Sequence, residues 1–269
     1  MRLGVLTSVD IRHRFFANAL RRACDVVAVG YERTGYTPAD INAYDLSPDE
    51  RRVVDAHFDD RRRQEARCFG HDAALIDTAT GCDAFHIAPG MLNTRGTHAR
   101  LEAAGVDALA VFGTNLIKDP LLQRWAGRII NMHLGLSPYY RGTATNFYPL
   151  LNEEPQYVGA TIHLIDAGID SGPIIHHARP DIDADDTPHT IGCNAILAGI
   201  DKMIAALAEL SRGELVAVPQ WPVADARLYL RRDYHPRDVV KLHHKLQAGL
   251  IADYAARAKD VAPAVKLID

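Results

Sequence analysis

"LGVLTSVDIRHRFFANALRRACDVVAVGY", residues 3–31, is the stretch that decides the fold. It opens with "LGVLT" (3–7), a run with no charged residue, which reads as a fully buried strand. Ser8 and Asp10 are helix-capping types, and "RHRFFANALRRA" follows with apolar residues at helical spacing. "DVVAVGY" (25–31) is a second apolar run. A helix between two continuously apolar strands is a β-α-β unit, which implies a parallel sheet covered on both faces.

The same grammar continues outward. Residues 32–46 are loop-like, and "SPDE" (47–50) resembles the capped start of a charged helix over 47–67. "DAFHIA" (83–88), "DALAVFG" (107–113) and "GRIINMH" (127–133) read as further strands, with a helix near 95–104. Beyond 133 the pattern changes. "YVGATIHLID" (157–166) and "GPIIHHARPDI" (172–182) are strands joined by a few residues, a connection too short for anything but antiparallel neighbours. A long helix over 187–211 follows "DDTPHT", and a last helical segment covers 236–258. The expected class is α/β: a mostly parallel twisted sheet with a C-terminal antiparallel hairpin and helices on both faces. A Pro-rich composition shift near 220 divides a catalytic domain (1–219, with halves at about 1–105 and 106–219) from a short extension (220–269).

Bulk properties narrow the function. The chain of 269 residues carries a net charge of -4, which offers no electrostatic reason to expect a nucleic-acid partner. Cys24, Cys68, Cys82 and Cys193 stand far apart with no C-x-x-C, which argues against a zinc ribbon or a redox pair. Free thiols suit a reducing compartment, so a cytoplasmic location is expected. The N-terminal apolar run is too short for a signal peptide, and no stretch approaches the ~18 apolar residues of a membrane helix.

The chemistry concentrates where "GRIINMH" ends. Alternate residues of a strand share a face, so Asn131 and His133 project together beyond a strand end, where open α/β sheets bind ligands. "DAGIDSGPI" (166–174) places Asp170 between two glycines in the hairpin loop, from which it could face His133. An aspartate beside a histidine raises the imidazole pKa and fixes its orientation. An amide and an imidazolium then make a donor pair for an oxygen on which negative charge builds, as in acyl-type transfer through a tetrahedral intermediate. No G-x-S-x-G elbow or activated cysteine accompanies them, so the nucleophile is expected to belong to the substrate.

"INMHLGLSPYYRG" (130–142) followed by "GATIHLIDAGIDSGPII" (159–175) resembles the formyltransferase family that uses N10-formyltetrahydrofolate. That family includes the glycinamide ribonucleotide, methionyl-tRNA and sugar N-formyltransferases. The resemblance is strongest over 105–182 and implies a Rossmann-like formyltransferase fold. It also implies catalytic roles for Asn131, His133 and Asp170, with Ser137, Thr161 and His163 in support. The folate would lie between the strand end Phe112, Gly113, Thr114, Asn115 and Leu116 and the loop Asp166, Ala167 and Gly168, taking backbone hydrogen bonds from 113–116. A substrate amine would attack the formyl carbon directly, with no metal.

The acceptor class is less defined. A nucleotide-linked amino sugar leads. Another small amine (an amino acid, a natural product or a glycinamide-ribonucleotide type) follows, and a homodimer is left open. Tyr139, Tyr140 and Arg141, with Gly142, are expected to contact the acceptor, since an aromatic pair plus Arg suits a base or phosphate. Ser8, Arg12 and Arg14 could meet a phosphate at a helix start. Two other classes stay open: a non-catalytic folate or nucleotide sensor, and a metal-dependent hydrolase built on His176, His177, Asp181, Asp183, Asp185 and Asp186. Adjacent strand histidines point to opposite faces, so no metal is assigned.

Overall fold

The structure, a computed structural model, describes residues 1–33 and 42–269. Five strands form the parallel part: β1 (Arg2–Thr7), β2 (Asp25–Glu32), β3 (Asp83–Ile87), β4 (Ala108–Phe112) and β5 (Ile129–His133). A three-residue strand β6 (Tyr140–Gly142) precedes the antiparallel pair β7 (Ala160–Leu164) and β8 (Ile174–Ala178). The seven-stranded sheet runs β3-β2-β1-β4-β5-β7-β8. The parallel sheet and the C-terminal antiparallel hairpin expected from the apolar runs are both present. Of the 32–46 loop, residues 34–41 lie outside the described residues.

Helices cover both faces. On one lie α1 (Ile11–Ala23), the end of α2 (Pro48–Phe69) and, after α3 (Arg95–Ala103), the long α4 (Pro188–Arg212). Phe15, Phe16, Ala19 and Leu20 of α1 pack there with Ile196, Ile200, Met203 and Leu207 of α4 and with strand residues Leu3, Val5, Ile130 and Ile162. On the other face Leu101 of α3 joins Leu6, Leu109, Val111, Trp125 and Ile129. Ser47 and Glu50 close a reciprocal capping box at the start of α2, as "SPDE" foretold, and Thr187 with Thr190 does the same for α4.

Two features correct the sequence reading, and a third adds to it. α4 is long and apolar enough, with mean hydropathy 1.5, to cross a membrane by composition alone, although no such stretch was expected. Half of that window is buried inside the protein, as in the core helix of an α/β layer. The last helical segment is two helices, α5 (Pro236–Gln247) and α6 (Leu250–Val261), separated at Gly249, where φ is 98°. The stretch after 220 is also threaded back into the body. β9 (Arg227–Tyr229) pairs in parallel with β6, and Val218 bridges Ile174 at the sheet edge. His177 N–H donates to the Ile268 carbonyl and Ile268 N–H to His177 Nδ1, which joins residue 268 to β8.

Candidate active site

β5 delivers Asn131 and His133 to one side of its carboxyl end. Because β7 runs antiparallel beside it, His163 is the register partner of Asn131, and Thr161 that of His133. The chain then turns through 165–173 into β8. Asp170 adopts φ 47° in this turn, a left-handed conformation that aspartate tolerates better than most residues. Gly172 is required here, since a Cβ would stand 1.8 Å from the Leu164 carbonyl oxygen.

The turn aims Asp170 inward. One carboxylate oxygen lies 3.2 Å from His133 Nδ1 and accepts the Gly142 backbone N–H at 2.9 Å. The other accepts from Asn131 Nδ2 at 3.4 Å and faces His163 Nε2 at 3.6 Å. The Asp170 side chain is 16% exposed, so it can still be reached from solvent.

Two opposing effects set the charge states. Burial alone would raise the Asp170 pKa, but His133 and the Gly142 N–H hold it well below the usual carboxylate range. For His133 burial is the larger influence. It lowers the imidazole pKa more than Asp170 and the Tyr140 carbonyl raise it. This corrects the expectation that Asp170 would lift His133: a nearby carboxylate is outweighed by complete desolvation of the ring.

The donor pair is also engaged in the free protein. Asn131 Nδ2 gives its hydrogens to His163 Nε2 at 3.0 Å and to Asp170. The tautomer of His163 follows: Nδ1–H donates to the Leu164 carbonyl at 2.9 Å, leaving Nε2 to accept. His133 Nε2 sits 3.0 Å from the Tyr140 carbonyl oxygen. The three predicted side chains therefore converge, on one another, and a bound oxygen has to win a donor from these partners. Thr161 Oγ1 donates to the Gly135 carbonyl at 2.6 Å and accepts the Ser137 N–H at 2.9 Å, so it shapes the turn after β5. Ser137 Oγ reaches the Asp170 carbonyl at 3.5 Å.

A cleft of about 640 Å³ opens beside this network. Phe112, Gly113, Thr114, Asn115 and Leu116 line it, as do Asp166 and Gly168. One detail of the expected pterin contacts changes. The Asn115 backbone N–H and side-chain amide both donate to the buried carboxylate of Glu32, each at 2.9 Å. The Leu116 carbonyl is held by Asn93 at 2.8 Å. The Asn115 donors are spent inside the protein because β2 ends against this loop, whereas the Leu116 carbonyl keeps a second lone pair. Asp166 accepts from Gly168 N–H and the Ser171 hydroxyl at 3.0 and 2.8 Å, which closes the turn on itself. Among the described residues, Ala167 is not part of the cleft wall.

The acceptor-side expectations fare unevenly. Arg12 lines the cleft and Gly142 does too, though the Gly142 N–H serves Asp170. Tyr139, Tyr140, Arg141, Ser8 and Arg14 are absent from the cleft wall among the described residues. Pairing of β6 with β9 turns the tyrosines into a separate aromatic cluster: Tyr139 packs 4.8 Å from Tyr157, and Tyr140 is buried with its hydroxyl on Glu154. Ser8 is fully buried. The residues that do line this side, His57, Arg61 and Glu65 of α2 and His189 of α4, are not among the candidates the sequence offers. Their i, i+4 spacing along α2 was the available signal. Arg12 Nη1 and Arg61 Nε share one Glu65 oxygen, each at 2.8 Å. His176 and His177 point apart, to Glu209 at 2.9 Å and the Ser137 carbonyl at 2.8 Å, and no group of three metal-ligating side chains occurs among the described residues.

The cleft histidines carry a pH prediction. Burial is the main cause that pushes His57 down to about 3 and His189 to about 4, and each is lowered further by Arg61. Both folded values lie below the unfolded value of about 6.5, so the unfolded chain binds protons first as pH falls. Their contribution to stability is complete above about pH 6.5 and is lost on descending toward pH 4. The melting temperature is expected to fall over that range, and to fall less steeply in a His57→Gln/His189→Gln variant. Identical slopes would contradict the assignment.

With this geometry in place, comparisons with known proteins can be weighed. The family described as Formyl transferase matches residues 72–206, half of the chain. A methionyl-tRNA formyltransferase of Synechococcus sp. (strain JA-3-3Ab) is 30% identical over 156 residues, covering 56% of this chain and 48% of that protein. The chain spans about half the length of the curated relatives it matches. Among solved structures, phosphoribosylglycinamide formyltransferase from Anaplasma phagocytophilum superposes with a TM-score of 0.57 at 17% identity, over 86% of this chain and 98% of that one. A sugar N-formyltransferase from Shewanella sp. gives 0.55 at 16% identity, over 90% and 86%. At such identities the structural likeness speaks for the fold.

Proposed function

Because this chain belongs to the formyl transferase family, we propose that it moves a formyl group from N10-formyltetrahydrofolate to the primary amine of a small molecule. The observation that carries the reading is the convergence of Asn131, His133 and an ionised Asp170 on the wall of the cleft. In this scheme the amine attacks the formyl carbon and the carbonyl electron pair moves onto oxygen. Asn131 Nδ2, released from His163, and His133 Nε2, released from the Tyr140 carbonyl, donate to that oxyanion. The Asp170 carboxylate takes the proton from the attacking nitrogen and passes it to N10 as the C–N10 bond breaks. The folate side fits: Gly113 and Thr114 leave a narrow wall, with apolar Val111, Ile117, Ile165 and Ile169 around it.

For the acceptor, a nucleotide-linked amino sugar suits the opposite side best. Arg12 and Arg61, balanced by Glu65 and Asp10, offer guanidinium donors for phosphates there, and Phe58, Phe147 and Tyr234 offer faces for a base. The volume falls within the range of small-molecule sites, and the net charge of -4 does not favour a nucleic acid. The test is a panel of amines incubated with N10-formyltetrahydrofolate and followed by the mass of the formylated product. Nucleotide-linked amino sugars are expected to turn over fastest, ahead of amino acids. Tight folate binding with no product from any amine would favour a non-catalytic sensor instead.

A further inference from the structure

Asp170 sits in a conformation that needs support, with φ at 47° and its carboxylate pointed inward. Beside the longer 3.5 Å contact from Ser137 Oγ, the support comes from one stretch, residues 218–229, which lies beyond the matched segment 72–206. Val218 exchanges both backbone hydrogen bonds with Ile174, at 2.7 and 2.8 Å, and so is fixed to the start of β8. Two residues later Gln220 Nε2 donates to the Asp170 carbonyl at 2.7 Å and to the Gly172 carbonyl at 3.0 Å. One amide thus spans the turn on its backbone side.

The same stretch reaches the carboxylate side. Gly142 N–H donates to Asp170, and Gly142 is fixed by β9: Thr143 N–H donates to the Tyr229 carbonyl and Arg227 N–H to the Tyr139 carbonyl, both at 2.8 Å. A Cβ on Gly142 would stand 1.9 Å from the Tyr229 oxygen, so the approach is tight.

We infer that residues 218–229 form a strap that sets the position of Asp170, with Gln220 as its positioning residue. Gln220 is not part of the cleft wall among the described residues, so it acts through the turn and touches no substrate. The inference rests on the reading of Asp170 as the proton carrier. Without the Gln220 amide the 170 and 172 carbonyls lose their common donor, and the turn can relax away from His133 and Gly142. An ångström of misplacement of a reacting group can cost about 100-fold in rate. Relaxation would also return the depressed Asp170 pKa toward its ordinary value, which moves the acid limb of the rate profile to higher pH.

The experiment compares the full-length wild type with Gln220→Met, Gln220→Glu and Asp170→Asn, using the amine from the panel that reacts fastest. Gln220→Met keeps length and removes the donor; Gln220→Glu keeps shape and, when ionised, cannot donate. Both are expected to lose tenfold or more in kcat with KM for N10-formyltetrahydrofolate unchanged, and to shift the acid limb upward. A purely architectural role would lower the melting temperature without moving that limb. Wild-type kcat and pH profile in either soluble variant would overturn the strap. Turnover surviving in Asp170→Asn would overturn the proton-carrier reading instead, whatever Gln220 does. A readout independent of turnover is the crystal structure of whichever Gln220 variant folds. Residue 170 is expected to leave the left-handed region, and an unchanged φ and carboxylate position would overturn the strap.

Discussion

Asp170→Asn is expected to lower kcat by about 100- to 10,000-fold, the range for removing a positioned general acid–base group, while folate binding is little changed. The substitution is conservative in shape. An asparagine oxygen can still accept the Gly142 N–H that reaches the native carboxylate at 2.9 Å, so the turn has reason to stay in place. What it cannot do is take a proton. It also removes the negative charge 3.2 Å from His133 Nδ1, and with it the influence that opposes burial of that ring. His133 would then hold a second proton even less readily, and the proton path would fail. Steady-state kinetics alongside binding of 5-formyltetrahydrofolate separates this from unfolding. A kcat within tenfold of wild type would remove Asp170 from the mechanism.

Asn131→Ala is expected to cost about 100- to 1000-fold in kcat, or ~2.7–4 kcal/mol, the loss found when one oxyanion donor is removed. Its effect is expected on kcat more than on KM, because the formyl oxygen acquires charge only as the amine adds. The free protein sharpens this expectation. Asn131 Nδ2 is committed to His163 at 3.0 Å and to Asp170 at 3.4 Å, so the ground state already satisfies the amide. Only an oxygen carrying substantial charge competes well with such partners. Equal losses in KM and none in kcat would assign the side chain to substrate binding.

The sheet was legible because its strands are nearly continuous apolar runs, and a parallel sheet buried on both faces writes that pattern. The convergence of Asn131 with His133 was legible for a similar reason, since period-two alternation puts them on one face. β6 and β9 were not. Strands of three residues carry no periodicity, and their pairing joins segments remote in the chain, so Tyr139 and Tyr140 looked like ligand contacts. The same distance hid the Glu32 carboxylate that consumes the Asn115 N–H and the Gln220 amide that spans the Asp170 turn.

Charge states were the least legible. Adjacency of Asp170 and His133 could be guessed from the loop, but the balance between a carboxylate and complete burial of the ring depends on everything packed around it. His57, Arg61 and Glu65 show the converse. They sit in a helix dense in charge, and only the packing of α2 beside α4 turns that face toward the cleft.

The most direct test of the central claim is a crystal structure of the wild-type protein grown with 5-formyltetrahydrofolate, a stable analogue of the formyl donor. The pterin is expected between Gly113–Leu116 and the 166–170 turn, with N10 within hydrogen-bonding or single-water reach of the Asp170 carboxylate. Density for the folate elsewhere, with Asn131, His133 and Asp170 still bonded only to one another, would contradict the account.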